Sequence, residues 1–295
     1  MNLKYTILIF IVLLLWASSY VGIRYSLEVF SPGNLAFLRY VCASFGFAFI
    51  ACFIKIRRPY LSDIPMILLM GLVGFSLYNL LLNFGERTTN AGIASFIINT
   101  VPFFTMLLAV IKKDEKAKRL DWIGLTIALA GVFLIVLTKA RGASFDYSTL
   151  YIAGAALCQA LYLSMQRNLL RKYSPVELTS YSVWSGTLLL FLFSADSFRS
   201  AGKSDWPHIL SVIYLGLFPG MIAYLIIAYA LKNYKASNVS SYLFLIPFLT
   251  LLLGWAFLKE TPSIWALAGG ILIVCGIVVK NRQMMTWPAP KEQSR

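Results

Sequence analysis

The chain has 295 residues, of which 59% are hydrophobic and 13% are charged, and its mean hydropathy is +0.74. A soluble domain contains about 45–50% apolar and about 25% charged residues, so this composition excludes an ordinary soluble globular protein. A formal charge of +14 would suit a nucleic-acid partner. The cationic residues lie in short segments between apolar stretches, however, and no nucleic-acid partner is expected.

Ten apolar runs of the length that crosses a bilayer follow one another along the chain. In order, runs 1 to 10 lie at 5–27, 35–54, 64–84, 91–111, 120–138, 150–168, 176–195, 208–231, 238–258 and 263–280. The connections between them are short and polar and leave no room for a soluble domain. The sequence therefore predicts an all-α polytopic membrane protein with ten transmembrane helices in a lipid bilayer.

The Lys and Arg residues are divided unequally between the two sets of connections. If the N-terminus is cytoplasmic, 17 of them lie on the cytoplasmic side and 7 on the outer side. Such an excess in short cytoplasmic loops is the positive-inside pattern. It predicts a multi-pass protein of the bacterial inner membrane with both termini in the cytoplasm.

Run 1 has the features of a secretory signal peptide, since a lysine precedes an apolar stretch and small residues. An internal segment shares its pattern, because Arg24 and Ser31-Pro32 match Arg167 and Ser174-Pro175 at an offset of 143 residues. We therefore expect run 1 to be retained as a helix. The four cysteines lie inside apolar runs and are expected to pack as small apolar side chains, with no disulfide and no metal site.

Polar side chains recur within several runs at helical spacing, which places them on one face of each helix. Such a stripe avoids lipid and faces either a neighbouring helix, as interhelical hydrogen bonding, or a wet cavity with a substrate. For the set as a whole we predict an amphipathic cavity. The predicted substrate-contacting residues are, in chain order, Trp16, Ser19, Tyr20, Arg39, Tyr78, Asn79, Asn83, Asn99, Gln159, Tyr162, Gln166, Tyr224, Ser241 and Tyr242.

Two charged residues need separate interpretation. Arg39 lies about four residues into run 2, roughly 6 Å along the helix. It either extends to the outer surface or attracts a substrate carboxylate or phosphate. Glu86 ends the polar stripe of run 3, and no Asp or Glu lies at the middle of any run. Proton coupling usually needs a buried titratable group, so we expect facilitated diffusion or exchange.

The ends of runs 4 and 9 have similar sequences. These are VPFFTMLLAVIKKDE at 101–115 and IPFLTLLLGWAFLKE at 246–260. The offset of 145 residues also pairs glycines of runs 3 and 5 with glycines of runs 8 and 10. Each repeat contains five runs, and because five is odd the second repeat enters the membrane from the opposite side. We predict two inverted repeats at 1–140 and 141–281, followed by a cytoplasmic tail at 282–295. Inverted repeats are typical of secondary transporters that work by alternating access.

The paired prolines and glycines of the two repeats have two interpretations each. Pro102 and Pro247 kink their helices and serve either as gating hinges or as static bends. Gly124 with Gly131, and the equivalent pair of run 10, allow close helix approach, which favours packing inside the bundle over a dimer face. A monomer or a weak homodimer is expected.

Several stretches resemble EamA-type members of the drug/metabolite transporter superfamily: WASSYVGIRYSLEVFSPGNLAFLRY, LDWIGLTIALAGVFLIV and IPFLTLLLGWAFLKETPSIWALAGGILIVCGIVV. The resemblance covers about residues 5–280 and implies a ten-helix inner-membrane transporter, often an exporter. It also implies a central cavity lined mainly by helices 1, 3, 4, 6, 8 and 9. The substrates of this family include amino acids, purine derivatives, nucleotide sugars and drugs. Arg39 is typical of helix 2 in the family, whereas its repeat partner here is Ser182.

The predicted function is secondary transport of a small polar or amphipathic metabolite, with an amino acid or a related compound favoured, in export or exchange. With a single histidine, no HExxH motif, no clustered carboxylates and no phosphate loop, the chain is not expected to be an enzyme or to need a cofactor. The alternatives are a channel-like or receptor-like scaffold, and a transporter of drugs, purines or nucleotide derivatives.

Overall fold

The computed structural model describes residues 3–88, 94, 97–113, 117–139, 147–250 and 264–281. All regular structure in these ranges is helical. The α-helices are α1 Leu3–Ser26, α2 Pro32–Phe53, α3 Ile64–Gly71, α4 Tyr78–Thr88, α5 Val101–Ile111, α6 Arg119–Lys139, α7 Tyr147–Leu169, α8 Pro175–Leu190, α9 Ser194–Lys203, α10 Trp206–Leu217, α11 Ala223–Asn233, α12 Ala236–Ser241 and α13 Ile264–Asn281.

Several helical stretches are long and apolar enough to span a membrane. Within the described ranges five qualify, and they match runs 1, 2, 3, 7 and 8: Tyr5–Ser26, Pro32–Phe53, Leu61–Arg87, Pro175–Lys203 and Trp206–Asn233. Shorter apolar helices lie at runs 4, 9 and 10. On α2 the rings of Phe45, Phe49 and Phe53, spaced four residues apart, are all exposed, as expected of a helix face against lipid tails.

Helices α2 and α8 begin in the same way, as the 143-residue offset predicts. Ser31 and Ser174 are extended N-cap residues whose hydroxyls accept hydrogen bonds from the backbone N–H three residues on. A proline follows each serine at the first helical position. No hydrogen bond is lost there, because a backbone N–H at that position has no acceptor within the helix. The backbone N–H of Ser174 donates to Glu177 Oε2, which completes a capping box on α8; α2 has Asn34 at the equivalent position.

Two π-helical segments interrupt the membrane helices at equivalent positions. Leu72–Leu77 joins α3 to α4 and Phe218–Ile222 joins α10 to α11, about 145 residues apart. The glycine before each segment packs directly on a backbone, Gly71 on Ser182 and Gly216 on Arg39. The repeat therefore extends to helix–helix contacts, because these partners are themselves 143 residues apart.

Helices α6 and α13 pack closely through glycines. A methyl group on Gly124 would lie 2.6 Å from the carbonyl oxygen of Gly276, and one on Gly131 would lie 2.5 Å from that of Gly269. The pairing runs in opposite directions along the two helices, so the helices are antiparallel. The glycine faces are therefore occupied within one chain, as the interpretation favouring bundle packing predicts.

Each repeated proline lies next to an irregular helical turn. A turn at Asn99 and Thr100 ends the preceding helical residues, and Pro102 belongs to the first turn of α5. Pro247 follows a 3₁₀ segment, Tyr242–Leu245, within the helical stretch Ala236–Thr250. Whether the two prolines act as hinges or as static bends stays a prediction. Glu115, Glu260 and the tail at 282–295 lie outside the described residues.

Polar contacts join the connection after α2 to the one between α7 and α8. Arg57 Nε donates to Glu177 Oε1 at 3.0 Å, and Lys172 Nζ donates to Asp63 Oδ1 at 2.9 Å. Tyr173 Oη donates to Asp63 Oδ2 at 2.8 Å and accepts the backbone N–H of Tyr60 at 3.0 Å. The hydrogen bond to Asp63 raises the pKa of the Lys172 ammonium. We call Arg57, Asp63, Lys172, Tyr173 and Glu177 the ionic cluster.

Candidate functional site

A central cavity lies between helices of both repeats. Its wall comprises Trp16, Ser19, Tyr20, Ile23, Arg39, Tyr78, Asn79, Leu82, Ile98, Asn99, Val101, Gln159, Pro219, Tyr224, Leu243 and Ile246. Water molecules have about 30 Å³ available to their centres, enough for two or three of them. Between the described residues the cavity therefore has room for a few water molecules and none for a metabolite.

Most of the predicted stripe residues meet in this wall. Those that line it are Trp16, Ser19, Tyr20, Arg39, Tyr78, Asn79, Asn99, Gln159 and Tyr224. They come from α1, α2, α4, α7, α11 and the turn before α5. Periodicity placed them on helix faces, and the packing of those helices brings the faces together.

The remaining predicted residues lie away from the cavity wall. Asn83 Nδ2 donates to the carbonyl oxygen of Pro32 at 3.0 Å and so connects α4 to the start of α2. The Ser241 hydroxyl donates to the backbone of Ser237 and accepts from Lys280. In these three contacts Asn83 and Ser241 hydrogen-bond to other protein groups. This is the interhelical hydrogen bonding that the sequence analysis gave as the alternative to substrate contact.

Three further predicted residues are also outside the wall. Tyr162 is fully buried behind it, and neither amide atom of the buried Gln166 has a hydrogen-bond partner among the described residues. Tyr242 is half-buried and packs near α13.

Arg39 is held in the cavity wall by Asn79. The side chain is only 4% exposed, which is incompatible with extension to the membrane surface. Its Nη1 donates to Asn79 Oδ1 at 3.2 Å, and Asn79 Nδ2 donates to Tyr40 Oη at 2.9 Å and to the Phe75 carbonyl at 2.8 Å. The Nε of Arg39 is buried without a hydrogen-bond partner in the described structure. Arg39 thus brings a buried cation, held by one hydrogen bond, to the cavity wall.

Side-chain hydrogen bonds hold the π-helical segment Leu72–Leu77 in place. The Phe75 carbonyl accepts both the backbone N–H of Tyr78 and the side-chain amide of Asn79. The Ser76 hydroxyl donates to the Gly186 carbonyl at 2.9 Å and holds the same segment against α8. Gly74 has no side chain, which lets the Tyr162 ring lie directly on the backbone.

An aromatic cluster lies beside Arg39, and two of its members, Trp16 and Tyr224, line the cavity. The ring of Phe75 lies 5.2 Å from Tyr40, 5.0 Å from Tyr162 and 4.8 Å from Tyr224, mostly edge to face. Trp16 packs edge-on against Tyr224 at 5.4 Å. These are the separations and orientations that aromatic pairs prefer. The cluster gives the cavity an apolar side next to a cationic one.

Hydrogen bonds link the helices that line the cavity. Trp16 Nε1 in the first half of the chain donates to the Pro219 carbonyl in the second half at 3.2 Å. Within the second half, Tyr224 Oη donates to Gln159 Oε1 at 3.4 Å. The predicted set omitted Pro219, Phe75 and Tyr40. The adjacency of Tyr40 to Arg39 was an available signal, whereas Phe75 is indistinguishable in sequence from other apolar residues of its run.

Glu86 is buried although it lies beyond residue 84, where run 3 ends. Hydropathy ends that run at residue 84, but α4 continues to Thr88, and Glu86 is 7% exposed. Its Oε1 atom has no hydrogen-bond partner in the part of the chain that the structure describes. A carboxyl group thus lies one helical turn beyond the cavity residue Leu82.

Comparison with known proteins places this arrangement in a family. The model of the EamA-like transporter family matches residues 3–137 and 147–282. The "Uncharacterized transporter YdfC" of Bacillus subtilis (strain 168) is 35% identical over 89% of the chain and 86% of its own length. The "Probable terminal-alkyne amino-acid exporter" of Streptantibioticus cattleyicolor is 31% identical over 92% of this chain and 91% of its own length.

Two further similarities extend over nearly the whole chain. The "Probable amino-acid metabolite efflux pump" of Salmonella typhimurium is 26% identical over 95% of each chain. A solved crystal structure at 19% identity matches with a TM-score of 0.77, covering 97% of this chain and 99% of the other. At that identity the likeness concerns the fold alone.

Proposed function

Because this chain belongs to the EamA-like transporter family, we propose that it moves a small carboxylate-bearing metabolite, an amino acid or a close relative, across the inner membrane in export or exchange. The observation that carries the proposal is the buried Arg39, a cation in the wall of a cavity that aromatic side chains also line. A buried guanidinium suits a carboxylate. Two relatives are named for amino-acid export or efflux, which supports this class of cargo.

The proposed mechanism is alternating access by two inverted five-helix repeats, 1–140 and 141–281. Three features support it: the paired π-helical segments, the paired irregular turns before Pro102 and Pro247, and the antiparallel α6–α13 pair. The two irregular turns are the proposed hinges. The protein works as a monomer or a weak homodimer with both termini and the ionic cluster in the cytoplasm, so that the ionic cluster closes the cavity on that side.

The proposed substrate contacts are the cavity-lining members of the predicted set. Arg39 and Asn79 receive the carboxylate, and Trp16, Tyr20, Tyr78 and Tyr224 contact the apolar part of the cargo. Gln159 and Asn99 offer further hydrogen bonds to its polar groups.

A thermal-shift screen of purified protein tests the carboxylate requirement. We expect amino acids to raise the melting temperature and their amides, which lack the carboxylate, to fail. Arg39→Gln removes the charge-assisted hydrogen bonds, each of which contributes about 1.5–3 kcal/mol, so affinity falls about ten- to hundredfold. The exposed Arg199→Gln variant is the control and keeps wild-type affinity.

Equal stabilisation by acids and amides, or full binding by Arg39→Gln, would refute the carboxylate assignment. Counterflow in proteoliposomes then distinguishes the mechanism. A carrier exchanges internal unlabelled for external labelled substrate and saturates, whereas a channel does neither. Because this readout needs no particular binding residue, it tests alternating access even if Arg39 has another role.

A further inference from the structure

Glu86 is a buried carboxyl group that the transport proposal does not use. Its helix is part of the Leu61–Arg87 membrane stretch, and its Oε1 has no hydrogen-bond partner among the described residues. Burial of an unpaired charge in a membrane protein is costly, and such groups lie where they serve ion or substrate movement. A carboxyl group can avoid this cost by taking up a proton.

The charged and titratable groups around Glu86 come from three helices. Arg24 of α1 and Arg39 of α2 interact with it electrostatically, as do Tyr20 of α1 and Tyr78 of α4 itself. Neither arginine lies within the 4.0 Å of an ion pair with it. Tyr20, Tyr78 and Arg39 also line the cavity.

The remaining flanks of Glu86 carry no close charge in the described structure. Helix α7 packs against α4 at Gly85. Its Tyr151 packs against the ring of Phe84. The neighbouring Arg87 is exposed. Arg39 is therefore the buried cation shared by the cavity and by Glu86.

We propose that Glu86 is a proton-binding site whose occupancy is coupled to the occupancy of the cavity. With the cavity empty, the positive field of Arg39 favours the ionised carboxylate. A substrate carboxylate at Arg39 neutralises that field, and Glu86 Oε1 then takes one proton from solution to become the neutral acid. The proton leaves when the substrate leaves, so one proton and one carboxylate substrate are bound and moved together.

This coupling rests on the proposed function, but the proton site itself does not. It replaces the expectation of uncoupled diffusion or exchange, which rested on the absence of Asp and Glu from the middle of every run. Net flux then depends on both gradients: export runs down the substrate gradient and is opposed by an inward proton gradient, whereas one-for-one exchange is independent of the proton gradient. A transporter without a proton site would follow the substrate gradient alone.

Infrared difference spectroscopy on detergent-solubilised protein tests the proton site without any ligand. We expect the carbonyl stretch of a protonated carboxylic acid to appear as pH is lowered from 9 to 5 and to be absent from Glu86→Gln. Glu86→Asp retains a titrating band, and the exposed Glu28→Gln keeps the wild-type band as the matched control. A wild-type spectrum that Glu86→Gln leaves unchanged would overturn the proton site.

The coupling is tested on the same samples with L-methionine as the probe and L-methionine amide as its carboxylate-free control. L-methionine should increase the Glu86 band at fixed pH, and Arg39→Gln should abolish this increase while retaining the band. A thermal shift measured in parallel reports whether the probe binds at all. Binding without any change in the band, or with loss of the band, would refute the coupling while leaving the proposed function intact. Absence of binding by every amino acid would refute the proposed function and, with it, the coupling.

Discussion

At the scale of single residues, Asn79 determines the geometry of the cavity. Its amide oxygen accepts from Arg39, and its amide nitrogen donates to Tyr40 and to a backbone carbonyl of the π-helical segment. One side chain thus joins the proposed carboxylate-binding cation, the aromatic cluster and the irregular turn of the helix. No other residue in the cavity wall is described with contacts to all three.

We expect Asn79→Ala to weaken ligand binding although Arg39 remains. The guanidinium loses the acceptor that orients it, and the buried Tyr40 hydroxyl loses a donor, at a cost of about 1–3 kcal/mol for an unsatisfied group. Asn83→Ala is the control, since Asn83 is equally buried on the same helix but contacts only the start of α2.

Melting temperature and ligand affinity, measured on both variants, separate the two roles. Both substitutions should lower the melting temperature, and only Asn79→Ala should lower affinity for a carboxylate ligand. If Asn83→Ala weakens binding as strongly, the effect is a general loss of packing and Asn79 has no special part.

Sequence periodicity predicted residue positions on helix faces better than it predicted residue roles. It placed Tyr20 and Asn79 on inward faces correctly, because lipid excludes polar groups from the outer faces. It could not choose between a buried and an extended Arg39, since a long side chain reaches either environment from the same backbone position. It placed Glu86 on the polar stripe of run 3 but could not show its burial, because a drop in hydropathy ends an apolar run whether or not the helix continues into a buried environment.

At the scale of helices, the α6–α13 pair depends on the absence of side chains. We expect Gly131→Val to lower the stability by about 1–3 kcal/mol, because its new methyl groups would collide with the Gly269 backbone, which cannot rotate away. Gly202→Ala on α9 is the matched control, as nothing lies within 4 Å of the added methyl group.

Thermal or denaturant unfolding in detergent measures both variants. Gly202→Ala should be neutral or slightly stabilising, because alanine favours a helix over glycine by up to about 1 kcal/mol. An unchanged stability for Gly131→Val would contradict the close approach of the two helices.

Some features of the helices were evident in sequence and others were not. Ser-Pro pairs are local start signals, so the beginnings of α2 and α8 could be predicted within a residue or so. The π-helical segments carry no comparable signal, since Gly74 in one repeat and Pro219 in the other favour different backbone conformations. Pro102 and Pro247 signalled an irregularity in each helix, but a proline alone does not say whether that irregularity is a turn, a 3₁₀ segment or a kink.

At the scale of the whole molecule, inverted repeats require equivalent residues to lie on opposite sides of the membrane. Glu28 and Arg171 are 143 residues apart, and both are exposed. In a background without the four native cysteines, we expect Glu28→Cys to react with an impermeant maleimide in right-side-out vesicles. Arg171→Cys should react only after the membrane is permeabilised.

Three outcomes of this labelling are informative. Labelling of both positions from outside, or of neither, would rule out the inverted arrangement. The reverse pattern would keep the inverted repeats and place the ionic cluster on the outer face.

The two repeats differ at one position where symmetry would otherwise give two equivalent half-sites. Gly216 packs on Arg39, and Gly71 packs on Ser182, the residue equivalent to Arg39 in the second repeat. A fully symmetric cavity would accept a cargo molecule in two opposed orientations of equal energy. A lone arginine removes this degeneracy, so every carboxylate cargo would enter with the same end towards the first repeat. Such a cavity can distinguish the two enantiomers of a substrate. With the carboxylate fixed at Arg39, the two enantiomers would place their other groups against different aromatic and amide side chains.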